Sequence, residues 1–157
     1  MSPDELKEYL QSHSVFADLD PAHTAILATH TEEKIFAGGD MLFRQEDPAE
    51  HFYILLAGSI QVEVPSIMGP ALIVQSLGAD EILGWSWLIP PYKWTFEAKA
   101  DHESKVLVFD GKALLAHCES DNDFGYALMK RFAGLMSERL HAARLKMMDS
   151  WAPAGWA

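Results

Sequence analysis

The sequence predicts a mainly β protein: a jelly-roll-like β-barrel preceded by helices and followed by a long helix. Residues 31–110 hold short apolar runs with strand-like alternation, separated by turn residues, while helix-capping signals lie on either side. The length of 157 residues fits a single domain. We divide it into N-terminal helices (1–30), a β-barrel (31–110), C-terminal helices (111–150) and a tail (151–157).

Two short helices are predicted before the barrel. Ser2 is a cap residue, Pro3 suits the first helical position, and Glu5 completes a capping box, so the first helix should run to about Ser12. Asp20-Pro21 repeats the cap-then-proline pattern, and the second helix should run to about Thr29.

Strands are predicted wherever short apolar or alternating runs lie between turn signals such as Gly38-Gly39-Asp40 and Ala57-Gly58-Ser59. Short strands at this spacing are typical of a jelly-roll-like barrel or sandwich. The predicted strands are Lys34–Phe36, Met41–Arg44, His51–Leu56, Ile60–Val64, Ala71–Ser76, Thr95–Ala100 and Lys105–Phe109.

A short helix should begin after Asp110 and reach about His117, and a long one should span residues 123–148. The long helix outruns a barrel of this size, so we predict a homodimer through it. The alternative is that the whole apolar stripe lies on its own barrel. Three- and four-residue steps join the members of the stripe: Phe124, Leu128, Phe132, Leu135, Met136, Leu140, Ala143 and Met147.

Charge is unevenly distributed along the chain, and the negative charge of residues 1–110 argues against anionic partners. Residues 1–110 hold 6 Lys/Arg against 18 Asp/Glu, whereas residues 111–157 hold 6 against 5. An acidic body repels nucleic acid and anionic membrane surfaces, so neither is an expected partner. Because no apolar run approaches the ~20 residues of a membrane span and Cys118 is the single cysteine, we expect a cytoplasmic protein.

Catalytic motifs are absent from the sequence, so no enzymatic activity is expected. There is no Gly-x-Ser-x-Gly, glycine-rich phosphate loop or Cys-x-x-Cys. The seven histidines are scattered and form no His-x-His metal motif. We expect Cys118, which has no base beside it in sequence, to be a packed helix residue and not a nucleophile.

The order of elements and residues 35–62, from Ile35-Phe36-Ala37-Gly38-Gly39-Asp40 to Gly58-Ser59-Ile60-Gln61-Val62, resembles the cyclic nucleotide-binding domain. The resemblance covers about residues 10–148. It implies a non-catalytic, ligand-sensing regulatory protein of bacterial type that signals to an unidentified protein effector. Gene-regulatory relatives carry a helix-turn-helix domain after the long helix; this sequence stops at Ala157, so direct DNA binding is not expected.

The family's phosphate-binding cassette resembles residues 83–95 in spacing but not in chemistry. Leu83-Gly84 match its phenylalanine and glycine, and Leu88 matches its helix leucine. Trp85 stands where the family has the glutamate that binds the ribose hydroxyl. Trp94 stands where it has the arginine that pairs with the phosphate. The resemblance implies these ligand-binding residues: Leu83, Gly84, Trp85, Ser86, Trp87, Leu88, Lys93, Trp94 and Thr95.

Two questions stay open at this point. Side chains alternate along a strand, so Lys93 faces outward if Trp94 faces inward, and a one-residue shift would reverse this. The aromatic residues between Trp85 and Phe96 also have three interpretations. They fill the pocket themselves and leave an interaction module, they line a pocket for another small planar ligand, or a cyclic nucleotide still binds through backbone amides, Ser86, Thr95 or Lys93.

Overall fold

In the computed structural model, the described residues 1–151 form two antiparallel four-stranded sheets with helices at both ends. The predicted mainly β architecture with flanking helices is confirmed. The helices are α1 (Pro3–Ser12), α2 (Pro21–Thr29), α3 (Gly111–Ser120) and α4 (Asn122–Trp151). The strands are β1 (Thr31–Phe36), β2 (Met41–Phe43), β3 (His51–Ala57), β4 (Ile60–Val64), β5 (Leu72–Leu77), β6 (Ile82–Leu83), β7 (Glu97–Ala100) and β8 (Ser104–Asp110).

The helix starts follow the capping chemistry of the sequence. The Ser2 hydroxyl accepts from the amide of Glu5, and the Glu5 carboxylate accepts from the amide of Ser2, which is a complete capping box. The carboxylate of Asp20 accepts from Ala22 at the start of α2, and that of Asp110 accepts from Ala113 at the start of α3.

The two sheets have the strand orders β1-β8-β3-β6 and β2-β7-β4-β5. Strand β3 is buried on both faces because alternate side chains enter two different cores. Phe52 and Ile54 pack with the helices, while Tyr53 and Leu55 pack inside the barrel. Strand β8 divides its side chains in the same way. Strands β3 and β8 therefore lie between the helical layer and the barrel interior, and their side chains pack in both.

Helix α4 consists of an anchored half and a projecting half. Phe124, Leu128, Phe132 and Leu135 are buried in the helical core. From Ser137 to Asp149 every side chain is exposed except that of Arg139. The predicted stripe is therefore buried only over its first half. The predicted tail lies outside the described residues beyond Trp151, so its interpretation stays untested.

Candidate ligand cavity beneath the long helix

A cavity of about 360 Å³ lies between the second sheet, the cassette segment (residues 83–95) and α4. Pockets for small organic molecules have volumes of about 300–1,000 Å³, so this one is of a size to accept such a ligand. Its walls are largely apolar. The lining residues are Phe43, Val62, Val74, Gln75, Leu83, Gly84, Trp85, Ser86, Trp94, Thr95, Phe96, Met136, Arg139, Leu140 and Ala143.

The indole of Trp94 lies against Gly84. The family resemblance implies that a bound phosphate would lie next to this glycine. Trp94 is buried and stacks on Phe43 with ring centroids 3.7 Å apart and an angle of 8° between the planes. A Cβ built on Gly84 would lie 2.5 Å from Cη2 of Trp94. Only glycine permits this approach, and its φ of +98° also favours glycine. An aromatic ring thus covers Gly84.

Backbone hydrogen bonds settle which side chain of residues 93 and 94 enters the cavity. The amide of Trp94 donates to the carbonyl of Asp47 at 3.0 Å, and the amide of Glu46 donates to the carbonyl of Trp94 at 2.9 Å. These bonds hold the strand-like segment against the loop after β2. With this register Trp94 points inward, and Lys93 is exposed.

The cationic side chain of the cavity comes from α4 and not from the cassette. The Arg139 guanidinium lies over the Trp85 ring, 5.4 Å from its centroid, and Nη2 donates to the carbonyl of Ile82. Burial lowers the pKa of Arg139, while the nearby charges of Glu81 and Glu138 oppose this shift. Arg139 is the one Lys or Arg among the residues that line the cavity.

The remaining cassette tryptophan belongs to the core. Ser86–Leu88 form one turn of 3-10 helix after Trp85. Trp87 is 1% exposed, stacks on Phe52 at 5.2 Å and meets the edge of Phe132 at 5.2 Å. Because Phe132 belongs to α4, Trp87 packs the cassette turn directly against the anchored half of that helix.

The structure brings most of the residues implied by the family resemblance to one cavity. Trp87 and Leu88 lie in the helical core, and Lys93 is exposed away from it. Those that line the cavity are Leu83, Gly84, Trp85, Ser86, Trp94 and Thr95.

The contribution of α4 was not expected from the sequence. Arg139 is one of several basic residues on this helix and is not part of the cassette. It lies three residues after Met136 and four before Ala143, both members of the apolar stripe, and all three line the cavity. Helical spacing could have placed Arg139 beside the stripe. It could not have shown that the barrel opens beneath that part of the helix.

Side chains of the metal-binding types and the single cysteine are the reactive groups of interest in the part of the chain that the structure describes. Within residues 1–151, no three His, Cys, Asp or Glu side chains are grouped so that they could hold a metal ion. Burial raises the pKa of the Cys118 thiol to about 11, so the thiol stays protonated near neutral pH and is a poor nucleophile. None of the described helices is long and apolar enough to cross a membrane.

Comparison with known proteins gives a family match over most of the barrel. The model of the family described as the cyclic nucleotide-binding domain matches residues 33–121, more than half of the chain. Comparison with curated protein sequences gave no match.

Solved structures with similar folds include sensor domains of regulators. The chain is 29% identical to a candidate cyclic nucleotide-binding protein from Geobacter metallireducens GS-15, with a TM-score of 0.77 and coverage of 90% of this chain and 99% of that one. It is 25% identical to the N-terminal domain of a transcriptional regulator from Streptomyces coelicolor A3(2), with a TM-score of 0.68 and coverages of 85% and 94%. The sensor domain of the Pseudomonas aeruginosa regulator DNR shares the fold at 21% identity, with a TM-score of 0.71 and coverages of 88% and 93%.

Proposed function

The chain belongs to the cyclic nucleotide-binding domain family, and we propose that it is a non-catalytic sensor of a small molecule other than the usual cyclic nucleotides. The observation that carries the proposal is the cavity of about 360 Å³ between the cassette segment and α4. A ligand in this cavity would touch the cassette and the projecting part of the long helix together. Binding would therefore bias the position of α4.

Altered specificity follows from the two substituted cassette positions. Trp85 and Trp94 replace the glutamate and arginine that the family resemblance implies for ribose and phosphate. Each lost charge-assisted hydrogen bond costs about 1.5–3 kcal/mol. Together they correspond to at least ~100-fold weaker binding of a cyclic nucleotide. The Trp94 ring over Gly84 further obstructs the phosphate position.

We propose that α4 passes the signal of ligand binding to a protein effector. We also propose that the protein is a cytoplasmic homodimer. Support for self-association comes from the large apolar side chains on the projecting half. Leu145, Met147 and Met148 are 50%, 66% and 67% exposed. Exposed apolar surface of this kind is typical of protein interfaces. The acidic barrel argues against direct contact with nucleic acid or anionic membranes.

A second candidate function is an interaction module whose ligand site has become part of the core. The stacking of Trp94 on Phe43 favours it, because that ring already occupies part of the pocket that the family resemblance implies. In that case α4 would bind a partner whether or not a small molecule is present. The remaining cavity favours the sensor.

A thermal-shift panel separates the two functions. Cyclic AMP, cyclic GMP, cyclic dinucleotides and planar metabolites would be added to the wild-type protein, an Ala143→Phe variant and an Ala142→Phe control. Ala143 lines the cavity, whereas its neighbour Ala142 is exposed outside it. A ligand at about 100 times its Kd stabilises by about 2.7 kcal/mol, which raises the Tm of a domain of this size by about 5–10 °C.

The sensor predicts such a shift for wild type and Ala142→Phe from at least one planar compound, with a much smaller shift for Ala143→Phe. A shift that is the same in all three proteins would place binding outside the cavity. Flat curves throughout would favour the interaction module, because a filled pocket gains nothing from added ligand.

A further inference from the structure

The walls of the cavity fit a flat apolar molecule better than a sugar phosphate. Trp85, Trp94 and Phe96 supply aromatic surfaces, and aliphatic side chains from β4, β5 and α4 complete the lining. The uncharged polar side chains among the lining residues are Gln75, Ser86 and Thr95. Pockets of this type obtain affinity from apolar contact and orientation from a few polar groups.

Arg139 retains hydrogen-bonding capacity for an anion. A guanidinium has five N–H donors, and the protein hydrogen bond found for Arg139 uses Nη2 toward the Ile82 carbonyl. Although Glu81 and Glu138 lie near enough to influence it, no carboxylate of the described residues approaches Arg139 within ion-pair distance, 4.0 Å. A partly desolvated guanidinium without such a partner is a strong site for a carboxylate.

The charge of the surrounding protein limits how much negative charge the ligand can carry. Residues 1–110 have 6 Lys/Arg against 18 Asp/Glu, and Arg139 is the single Lys or Arg of the lining. One guanidinium can offset one negative charge, whereas a second would face an acidic body without compensation. The arrangement favours a monoanion.

From these observations we infer that the ligand of the cavity is a planar aromatic monocarboxylate, with its ring against Trp85 and Trp94 and its carboxylate on Arg139. This inference rests on the proposed sensor function and names the chemistry of its ligand. The anion partner then lies on α4, three residues from Met136 and four from Ala143. Binding of the carboxylate would tie the projecting half of α4 to the cassette.

Calorimetry with a matched pair of probes tests the inference. Naphthoate and naphthamide share a flat apolar ring system, and only the first is charged. Each would be titrated into wild type, Arg139→Gln and Arg144→Gln. Arg144 is an exposed cation on the same helix that does not line the cavity, so its removal controls for the change in net charge.

The expected result is that wild type and Arg144→Gln bind naphthoate at least about tenfold more tightly than naphthamide. In Arg139→Gln this preference should disappear, with naphthoate affinity reduced by about tenfold or more. If Arg139→Gln fails to fold, the naphthoate-to-naphthamide ratio of wild type still tests the inference.

Equal binding of both probes to wild type would overturn the inference while leaving the sensor function in place, because a ligand would still enter the cavity. Undiminished naphthoate binding by folded Arg139→Gln would overturn it as well. If neither probe binds at millimolar concentration, the inference is wrong. The sensor function would then stand or fall on the thermal-shift panel with Ala143→Phe.

Discussion

At the residue scale, the proposed change of ligand rests on the contact of Trp94 with Gly84. Cη2 of the indole lies 2.5 Å from the place where a Cβ on Gly84 would be, and Phe43 stacks on the indole with centroids 3.7 Å apart. Phosphate recognition at a glycine depends on close approach of the ligand to the backbone amides. An aromatic ring over Gly84 replaces that polar surface with an apolar one.

Substitution of Gly84 tests this contact. Gly84→Ala places a methyl group 2.5 Å from Cη2 of Trp94 and forces alanine into a φ of +98°. The positive φ costs about 1–2 kcal/mol, and the overlap adds about 1–3 kcal/mol. Urea denaturation should show a loss in the free energy of unfolding that includes both effects.

Gly39→Ala is the matched control, because Gly39 has a φ of +91° with no atom within 4 Å of the added Cβ. It should lose only the cost of the backbone conformation, so Gly84→Ala should be the less stable variant by at least about 1 kcal/mol. Equal losses in the two variants would mean that Trp94 does not press on Gly84.

At the element scale, the two halves of α4 differ in burial. Its first half is fixed by Phe124, Leu128 and Phe132, each at most 1% exposed. Burying side chains of this size contributes about 1.5–3 kcal/mol each. The described contacts between the projecting half and the barrel lie around the cavity. The projecting half is the part of the helix whose position a ligand or a partner can most easily change.

The proposed dimer can be tested on the projecting half. Leu145 and Met148 are both exposed and lie three residues apart, on one side of the helix and outside the cavity lining. Replacing both by Glu places two charges in the interface, so dissociation should become at least about tenfold more favourable by sedimentation equilibrium.

Lys7→Glu on α1 is the control. It lowers the net charge by two units, as the double variant does, at an exposed position outside α4. Its association should match that of wild type. A monomeric wild type would contradict the dimer directly, and so would a double variant that associates as wild type does.

The sequence predicted the elements whose signals are local, and missed those that depend on tertiary contacts. Caps at Ser2, Asp20 and Asp110 located three helix starts correctly. Strand β6 has only two residues, Ile82–Leu83, which is too short for any periodicity to appear. It becomes a strand because β3 lies beside it in the register Tyr53↔Leu83.

The candidate site divides in the same way. The cassette residues Gly84, Trp85 and Trp94 were expected from the family resemblance, and all three line the cavity. The direction of Lys93 depended on backbone hydrogen bonds to the loop at Glu46 and Asp47, which spacing does not reveal. The role of Arg139 depended on where the barrel opens beneath α4, which is a property of the assembled fold.

At the scale of the whole molecule, the helical core and the cavity meet at the cassette. Trp87 packs on Phe132 of α4 within the core, while Trp85 and Arg139 meet at the edge of the cavity. Among the described residues, the cassette and α4 therefore touch in the core, where the contact is buried, and at the cavity, where we propose that the contact is open to a ligand. A ligand that binds at the open contact would change the mobility of both segments together.

Hydrogen–deuterium exchange with and without ligand tests that coupling most directly. The protein would be measured with naphthoate and with the compound of the thermal-shift panel that stabilises it most. We predict slower amide exchange in two segments distant in sequence, the cassette around residues 82–88 and the part of α4 around residues 136–145, with little change in α1. Saturating ligand that protects neither segment, or protects only one of them, would contradict the account.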